Sequence, residues 1–256
     1  MQKLISIDLM GDFGFFRKPD ANNTVNLSYN MLHKPALLGI FGAIIGLEGY
    51  KEKGKMPYYF EALNSVKIGI EPLRHEKGNY QKTTVKYSNT VGYANNGATY
   101  LTEEATLIKP AYRVYALLDL DDKHHSLLLK NLQECKAEFL PYFGKNEFAA
   151  WWEKESFVEY DFQTLEKPLS DIQIKTLFLK QDLIKENKAT PIFDFMKFTD
   201  EETPFMYFER LPKGFDSSLF QYEVSDYALT SFKLKQSVGI DNLYFLSHKN
   251  YYVQLL

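Results

Sequence analysis

Cysteine is nearly absent from this sequence: Cys135 is the single one among 256 residues. One cysteine excludes an intramolecular disulfide and any metal site built from several cysteines, and it suits a reducing cytoplasm. Cys135 follows Leu132 and precedes Ala137 in a helical pattern, which predicts a small buried apolar side chain. The adjacent histidines at 124 and 125 lack the spacing of a helical metal pair, so we expect no metal and no other cofactor.

The sequence also lacks an apolar run long enough to cross a bilayer. The longest covers residues 36–47, whereas a spanning helix needs about 20 apolar residues. The first residues do not have the layout of a signal peptide. We therefore expect a cytoplasmic protein with no membrane partner.

An excess of positive charge is missing as well, since the formal net charge is −3. The charge is unevenly distributed: residues 1–120 hold 14 Lys and Arg against 11 Asp and Glu, and the remainder holds 16 against 22. Residues 74–100 carry four cations against Glu76 alone. If the protein binds a polyanion, the amino-terminal half is expected to bind it.

What the sequence does contain is a helix-forming stretch that is apolar on every side, predicted over residues 35–48. Pro35 suits its first turn and Gly49 its end. Gly39, Gly42 and Gly46 fall on one face, which predicts the close approach of another backbone or a ligand. Tight packing on a sheet is the usual reason for such glycines and explains them alone, and the polar ends of a packed helix could still hold a ligand.

Polar and basic side chains gather before this helix. Arg17 and Lys18 end a glycine-punctuated loop, Ser28 and Asn30 lie in a turn-rich segment, and His33 and Lys34 directly precede Pro35. The amino terminus of a helix offers free N–H groups and a favourable dipole to an anion. The pattern predicts a phosphate site there.

Residues 78–100 predict a β-hairpin arm that is rich in Thr, Val and Tyr, with Asn96-Gly97 as its turn. Neither face of the arm is apolar enough to form a core, so we expect it to gain its order from a partner. Alternating lysine and tyrosine is typical of surfaces that bind single-stranded nucleic acid. An exposed polar hairpin without a ligand is the other interpretation.

The order of elements predicts an α+β fold. Strands at 3–9, 66–73, 105–119 and 151–162, with helices at 35–48 and 122–137, give β-α-β-β-α-β, the order of a ferredoxin-like or RNA-recognition (RRM-like) unit over residues 1–163. The hairpin, at about 74–104, is inserted between its middle strands. Residues 164–256 are predicted as a smaller, mostly β subdomain, acidic and better suited to contact protein than RNA, with strands at 172–179, 205–208, 220–224, 231–236 and 243–256.

Four stretches of the chain resemble one family: LLGIFGAIIGL at 37–47, LIKPAYRVY at 107–115, YFGKNEF at 142–148 and YFERLP at 207–212. Together they resemble the "Cas five" family of CRISPR-associated proteins, most closely its type I-B branch. The resemblance extends over nearly the whole chain and is most specific in the amino-terminal part.

This resemblance implies a fold of the repeat-associated mysterious protein (RAMP) class and a subunit of the Cascade surveillance complex, a ribonucleoprotein of antiviral defence. Such a subunit caps the 5′ handle of the CRISPR RNA (crRNA). Its hairpin, the thumb, reaches the neighbouring backbone subunit and displaces a base of the guide. The large subunit docks on it near the place where the protospacer-adjacent motif of the target DNA is read.

We therefore expect RNA binding rather than catalysis. Phosphates would contact Arg17, Lys18, His33 and Lys34; bases would contact Tyr50, Tyr112 and Arg113, with Ser28 and Asn30 reading base edges; and Lys51, Lys82, Lys86, Tyr87 and Asn89 complete the predicted interface. The alternative is a metal-independent endoribonuclease that cuts precursor crRNA, as relatives in the type I-C branch do, for which Tyr50, His33 and Lys51 are the candidate groups. A structural scaffold without RNA contact would leave the basic, tyrosine-rich arm unexplained.

Overall fold

The computed structural model describes residues 1–19, 24–88, 101–165, 171–180, 193–198, 203–235, 240–247 and 249–256. The amino-terminal elements are β1 (Gln2–Gly11), β2 (Phe13–Gly14), β3 (Phe16–Arg17), β4 (Val25–Asn26), β5 (Ser28–Tyr29), α1 (Lys34–Ile44), α2 (Tyr58–Leu63), β6 (Lys67–Leu73), β7 (Lys82–Ser88), β8 (Leu101–Ile108), β9 (Ala111–Asp119) and α3 (Lys123–Glu134).

The remaining elements are mostly strands. They are β10 (Ala150–Trp151), a 3₁₀ turn (Lys154–Ser156), β11 (Val158–Tyr160), β12 (Phe162–Thr164), β13 (Phe178–Leu179), β14 (Phe193–Phe198), β15 (Met206–Asp216), β16 (Gln221–Thr230), β17 (Phe232–Leu234), β18 (Leu243–Leu246) and β19 (Tyr251–Gln254). The described residues thus form an α+β fold, as predicted, and they contain more strand than helix. None of the described helices has the length and apolar character needed to cross a bilayer.

The central sheet has the order β10-β1-β9-β6, with β11 also paired to β1, and every pair is antiparallel. Alternate residues of β1 point to opposite faces. Ile5, Ile7 and Leu9 belong to the main core, which also contains the buried leucines of α1 and α3. The helices therefore cover one face of this sheet.

The carboxy-terminal strands cover the other face. Leu4, Tyr115 and Tyr160 share a second core with residues of β18 and β19, such as Tyr244 and Val253. The main core also draws on both halves of the chain, because it includes Leu177, Phe205, Leu211, Tyr227 and Leu229. The amino-terminal sheet is therefore enclosed by contacts with residues beyond 163.

Helix α1 is shorter than predicted and ends at Ile44. Gly46, at φ +75°, makes the turn that Gly49 was expected to make, and the N–H of Leu47 donates to the carbonyl oxygen of Gly42 at 2.8 Å. The predicted close approach to the glycine face comes from a side chain: a Cβ at Gly42 would lie 2.6 Å from the Cβ of Tyr59, on α2.

Three other predictions were wrong. The strand at 105–119 is two strands in different sheets, because the chain turns at Lys109 (φ 47°) and Pro110. The strand at 151–162 is interrupted by the turn at 154–156. Cys135 is exposed, because it ends α3 in a left-handed conformation with φ 54°. The predicted strands at 205–208 and 220–224 are present, and they belong to a longer hairpin, β15–β16.

Candidate nucleic-acid interface

The predicted hairpin is present in its described part. β7 and β8 pair from Lys82 opposite Leu107 to Ser88 opposite Leu101, while residues 89–100, with the predicted turn and Asn89, lie outside the described residues. The base of the hairpin does not depend on a partner for its order, because β8 also pairs with β2 and, in parallel, with β4. The arm therefore grows out of the body of the protein.

One face of the hairpin is linked to the body by Lys145. The Nζ of Lys145 lies 4.3 Å from the ring centre of Tyr87 and 5.3 Å from that of Phe15, and it forms an ion pair with the buried Glu104 on β8. Gly144 sets the position of this lysine with φ +81°. The opposite face carries Lys86, which pairs with Glu103 at 2.7 Å and remains exposed.

A second charged cluster lies at the start of the hairpin. The Nζ of Lys18 is 3.0 Å from a carboxylate oxygen of Glu209 on β15 and 5.1 Å from the ring centre of Tyr29. Partial burial lowers the pKa of Lys82, and the nearby charge of Lys18 lowers it further against the opposing effect of Glu209. Lys18 and Lys82 thus lie near one carboxylate.

The structure buries the two residues predicted to read base edges. The hydroxyl of Ser28 accepts from the N–H of Phe16 at 2.9 Å, and the side chain of Asn30 donates to the carbonyl oxygen of Gly78 at 2.6 Å and accepts from the N–H of Tyr80 at 3.2 Å. Both residues are less than 5% exposed. Their polar atoms hold the chain together before α1, so the structure does not present either side chain to a base edge.

Tyr112 and Arg113 are also occupied within the protein. Tyr112 has no exposed surface, packs edge-on against Phe143, and donates its hydroxyl to the carbonyl oxygen of Asn30 at 2.9 Å. Arg113 lies on the opposite face of the sheet and forms a two-point ion pair with Asp8 at 2.7 and 2.8 Å. Burial removes the tyrosine ring from contact with a base, and the pair with Asp8 engages the guanidinium.

The amino terminus of α1 is filled by the protein itself. The Nδ1 of His33 accepts from the N–H of Ala36 at 3.3 Å, and burial lowers the pKa of this imidazole to about 3. The Nζ of Lys34 donates to the carbonyl oxygen of Leu256 at 3.0 Å, and its pKa is lowered to about 8, mainly by burial. Because His33 is buried and caps the helix, the structure does not present the amino terminus of α1 to a phosphate.

This burial predicts a dependence of stability on pH. The folded-state pKa of His33 lies below its ordinary value of 6.5, so its contribution is complete above pH 6.5 and is lost as the pH falls below it. Between pH 7 and pH 5 we expect a loss of about 2 kcal/mol in the free energy of unfolding, measured by urea denaturation. His33→Asn, which keeps a capping acceptor, should lack this component. Equal pH dependence in both proteins would contradict the assignment.

Three of the predicted residues remain at the surface near α1. Arg17 is exposed, Tyr50 is 63% exposed, and Lys51 is exposed in an ion pair with Glu48. Lys82 and Lys86 of the hairpin are also exposed, and Tyr87 and Lys18 are partly exposed.

Two adjoining cavities lie beside some of these residues: Arg17 and Tyr50 line the first, and Lys18 lines the second. The first, which we call the tyrosine cavity, has a volume of about 620 Å³ and is lined by residues that include Arg17, Tyr50, Tyr59, Tyr142, Lys145 and Tyr222. The second, the outer cavity, has about 780 Å³ and includes Lys18, Arg210 and Phe220. Phe215 and Tyr222 line both and stack on each other with ring centres 4.8 Å apart.

Among the described residues no group of three or more His, Cys, Asp or Glu side chains is arranged to hold a metal ion. The chemical character of the cavities is instead that of aromatic rings beside guanidinium and ammonium groups. Rings can stack on bases and cations can contact phosphates, so the surface is suited to single-stranded nucleic acid.

Comparison with solved structures finds alignments with CRISPR-associated proteins. The chain aligns with a CRISPR protein from Archaeoglobus fulgidus over 98% of its own length and 97% of that chain, with a TM-score of 0.50 and 13% identity. A chain of a CRISPR RNA-guided surveillance complex aligns over 90% and 91%, with a TM-score of 0.48 and 11% identity. A chain of the Type III-B Cmr-beta complex bound to cognate target RNA and AMPPnP aligns over 99% of both, with a TM-score of 0.41 and 10% identity.

No protein-family model matches the sequence, and no curated protein matches it. At 13% identity the likeness to the Archaeoglobus protein is one of fold. The chain has the fold of that CRISPR protein.

Sequence reasoning assigned no role to several residues of the cavities, among them Tyr59, Tyr142, Lys145, Arg210 and Tyr222. Tyr142 and Lys145 lie in the turn at 142–148, which carried part of the family resemblance without a role being assigned to it. Arg210 and Tyr222 belong to the β15–β16 hairpin, in the half that was predicted to contact protein. Their place beside α1 depends on packing between distant segments.

Proposed function

We propose that this protein is an RNA-binding subunit of a CRISPR ribonucleoprotein, of the Cas five family and its type I-B branch, which caps the 5′ handle of the crRNA in a Cascade complex. The observation that carries the proposal is the β7–β8 hairpin, inserted between β6 and β9 of the central sheet and linked through Lys145 to cavities lined by rings and cations. The fold likeness to the Archaeoglobus CRISPR protein supports it.

The connectivity of the sheet supports assigning the amino-terminal half to a ferredoxin-like, RRM-like unit. The order of elements along the chain is β1, α1, β6, β9, α3 and then β10 with β11. This is the β-α-β-β-α-β order of such a unit. The face of this sheet that carries Arg113 is covered by β18 and β19. In the proposed function RNA therefore binds along the hairpin and beside α1, and not on this sheet face.

The proposed partners follow from the exposed surfaces of the protein. The hairpin, with Lys82, Lys86 and Tyr87, would meet the crRNA and the backbone subunit. The acidic carboxy-terminal half would meet protein, including the large subunit, close to the target DNA at its protospacer-adjacent motif. Removal of a cation that contacts phosphate reduces the salt dependence of binding, which gives a direct test.

The test compares two double variants. Lys82→Ala/Lys86→Ala removes the hairpin cations, and Lys123→Ala/Lys130→Ala removes two exposed cations of α3 as the matched control. Affinity for a synthetic 5′-handle RNA is measured across a salt series. The hairpin variant should lower the slope of log affinity against log salt by up to about 1.4, which is two phosphate contacts on a single strand. The control should match wild type.

Two results would overturn the proposal. A slope unchanged in the hairpin variant would remove the arm from the RNA contacts. The same samples, incubated in EDTA with precursor RNA and separated on a denaturing gel, should contain intact RNA. A discrete cut at the base of the repeat hairpin would indicate the endoribonuclease instead.

A further inference from the structure

Four phenol side chains converge in the tyrosine cavity. Tyr50, Tyr59, Tyr142 and Tyr222 all line it, and burial together with the nearby phenols of the other three raises the pKa of Tyr59, on α2. These residues come from α2, from the segment after α1, from the turn before β10 and from β16. The absence of a side chain at Gly42 of α1 admits Tyr59 to this position, since a Cβ there would lie 2.6 Å from the Cβ of Tyr59.

Packing alone does not account for this cluster. Tyr50 is 63% exposed and Tyr142 is 41% exposed, and Phe139, on the same cavity wall, is 54% exposed. A cavity of about 620 Å³ is within the range of about 300–1,000 Å³ that is typical of small-ligand sites. The rings thus border an open space of ligand size instead of filling it.

The charges of the cavity favour an anion. Among the described residues that line it, Arg17 and Lys145 are the cations and Glu104 is the carboxylate. Glu104 is already paired with Lys145, which leaves the exposed guanidinium of Arg17 as the group available to a ligand phosphate. A nucleotide combines an aromatic ring with a phosphate, and it therefore matches this set better than a peptide of apolar side chains.

We propose that the tyrosine cavity holds one unstacked base of the bound RNA strand, with the phosphate of that nucleotide on Arg17. This inference rests on the proposed function and specifies a site within it. A phenol hydroxyl both donates and accepts, so several phenols can satisfy the edge of any base. The cavity accordingly selects an extruded base without reading its identity.

The position of Lys145 connects this site to the hairpin. Its Nζ contacts the ring of Tyr87 on β7, and the same residue lines the cavity. Glu104, on β8, lines it too. A strand that leaves the cavity therefore passes directly onto the base of the arm, where Tyr87 offers the next ring.

The test locates the base by photo-crosslinking. A synthetic 5′-handle RNA carries 5-iodouridine at one position at a time, and the crosslinked peptides are identified by mass spectrometry. We expect one position to crosslink to peptides that contain Tyr50, Tyr59, Tyr142 or Tyr222. Changing the bases on either side of this position should not abolish the crosslink. If the RNA is retained but crosslinks only to hairpin residues, the proposal that the cavity holds a base is wrong, whereas the proposed function is not contradicted. Failure to retain RNA would overturn both.

A set of variants measures the contribution of the rings. Tyr142→Ala and Tyr50→Ala remove exposed rings of the cavity and should each weaken RNA binding about ten- to hundred-fold. Tyr58→Ala is the matched control, because Tyr58 is 46% exposed on the same α2 as Tyr59 but its hydroxyl contacts His124, 3.2 Å away. An RNA with an abasic site at the crosslinking position should bind wild type and Tyr142→Ala equally. A Tyr58→Ala loss as large as that of Tyr142→Ala would contradict the assignment.

Discussion

Replacement of Gly144 by alanine is expected to lower the free energy of unfolding by at least about 3 kcal/mol. The residue has φ +81°, and a Cβ there would overlap the carbonyl oxygen of Phe15. That carbonyl cannot retreat easily, because the N–H of Phe15 donates to the carbonyl oxygen of Phe143 at 3.0 Å. Both the strained backbone and the overlap with main-chain atoms contribute.

Gly54 provides the matched control, since it has φ +80° with open space where a Cβ would lie. Gly54→Ala should cost only the left-handed conformation, about 1 kcal/mol. Urea denaturation followed by circular dichroism gives both values. Equal losses in the two variants would show that the overlap with Phe15 has no effect. Because Gly144 positions Lys145, its replacement should also weaken RNA binding under conditions in which the protein remains folded.

Glu209→Ala is expected to lower the free energy of unfolding by about 3–5 kcal/mol. The buried carboxylate accepts from the N–H of Asn30 at 3.0 Å, the N–H of Met31 at 3.2 Å and the hydroxyl of Tyr207 at 2.7 Å, and it pairs with Lys18. Truncation leaves two buried N–H groups and an ammonium without their acceptor. Each of these losses is costly because water cannot replace the carboxylate fully.

The control for this prediction is Glu223→Ala on the neighbouring strand. Glu223 is exposed, and its nearest cation is Lys213 at 3.7 Å. Such surface pairs contribute about 0–1 kcal/mol, so this variant should unfold close to wild type in the same urea titration. A small loss in Glu209→Ala would mean that the segment before α1 is held by other contacts.

Local patterns predicted the elements that depend on local chemistry. β1, β6 and α3 are where their periodicity placed them, and Asp122 caps α3 by accepting from the N–H groups of His124 and His125. The turn at Lys109-Pro110 was missed because the apolar pattern continues across it, while the two strands join different sheets. Membership of a sheet is decided by partners elsewhere in the chain, which periodicity does not contain.

The site shows the same division. Exposed Arg17 and Lys86 could be predicted from charge and position, since neither needs a buried partner. Asn30 looked available in the sequence, but it is fixed beside Glu209, 179 residues away. Tyr142 and Tyr222 line the same cavity only because the β15–β16 hairpin packs beside α1. At this site, the sequence therefore failed to predict the residues whose positions depend on contacts between distant segments.

The packing of β18 and β19 over the central sheet also affects how the chain folds. Ile68 and Leu256 exchange backbone hydrogen bonds at 3.0 and 2.8 Å, and Lys34 meets Leu256 across 222 residues of chain. Contacts of such long range form late, because the intervening chain must first be closed into a loop. A fold that depends on them therefore folds slowly. During synthesis the amino-terminal sheet emerges first and keeps an apolar face uncovered until residues 243–256 have been made. The nascent chain is therefore prone to aggregate until β18 and β19 have been made and cover this face.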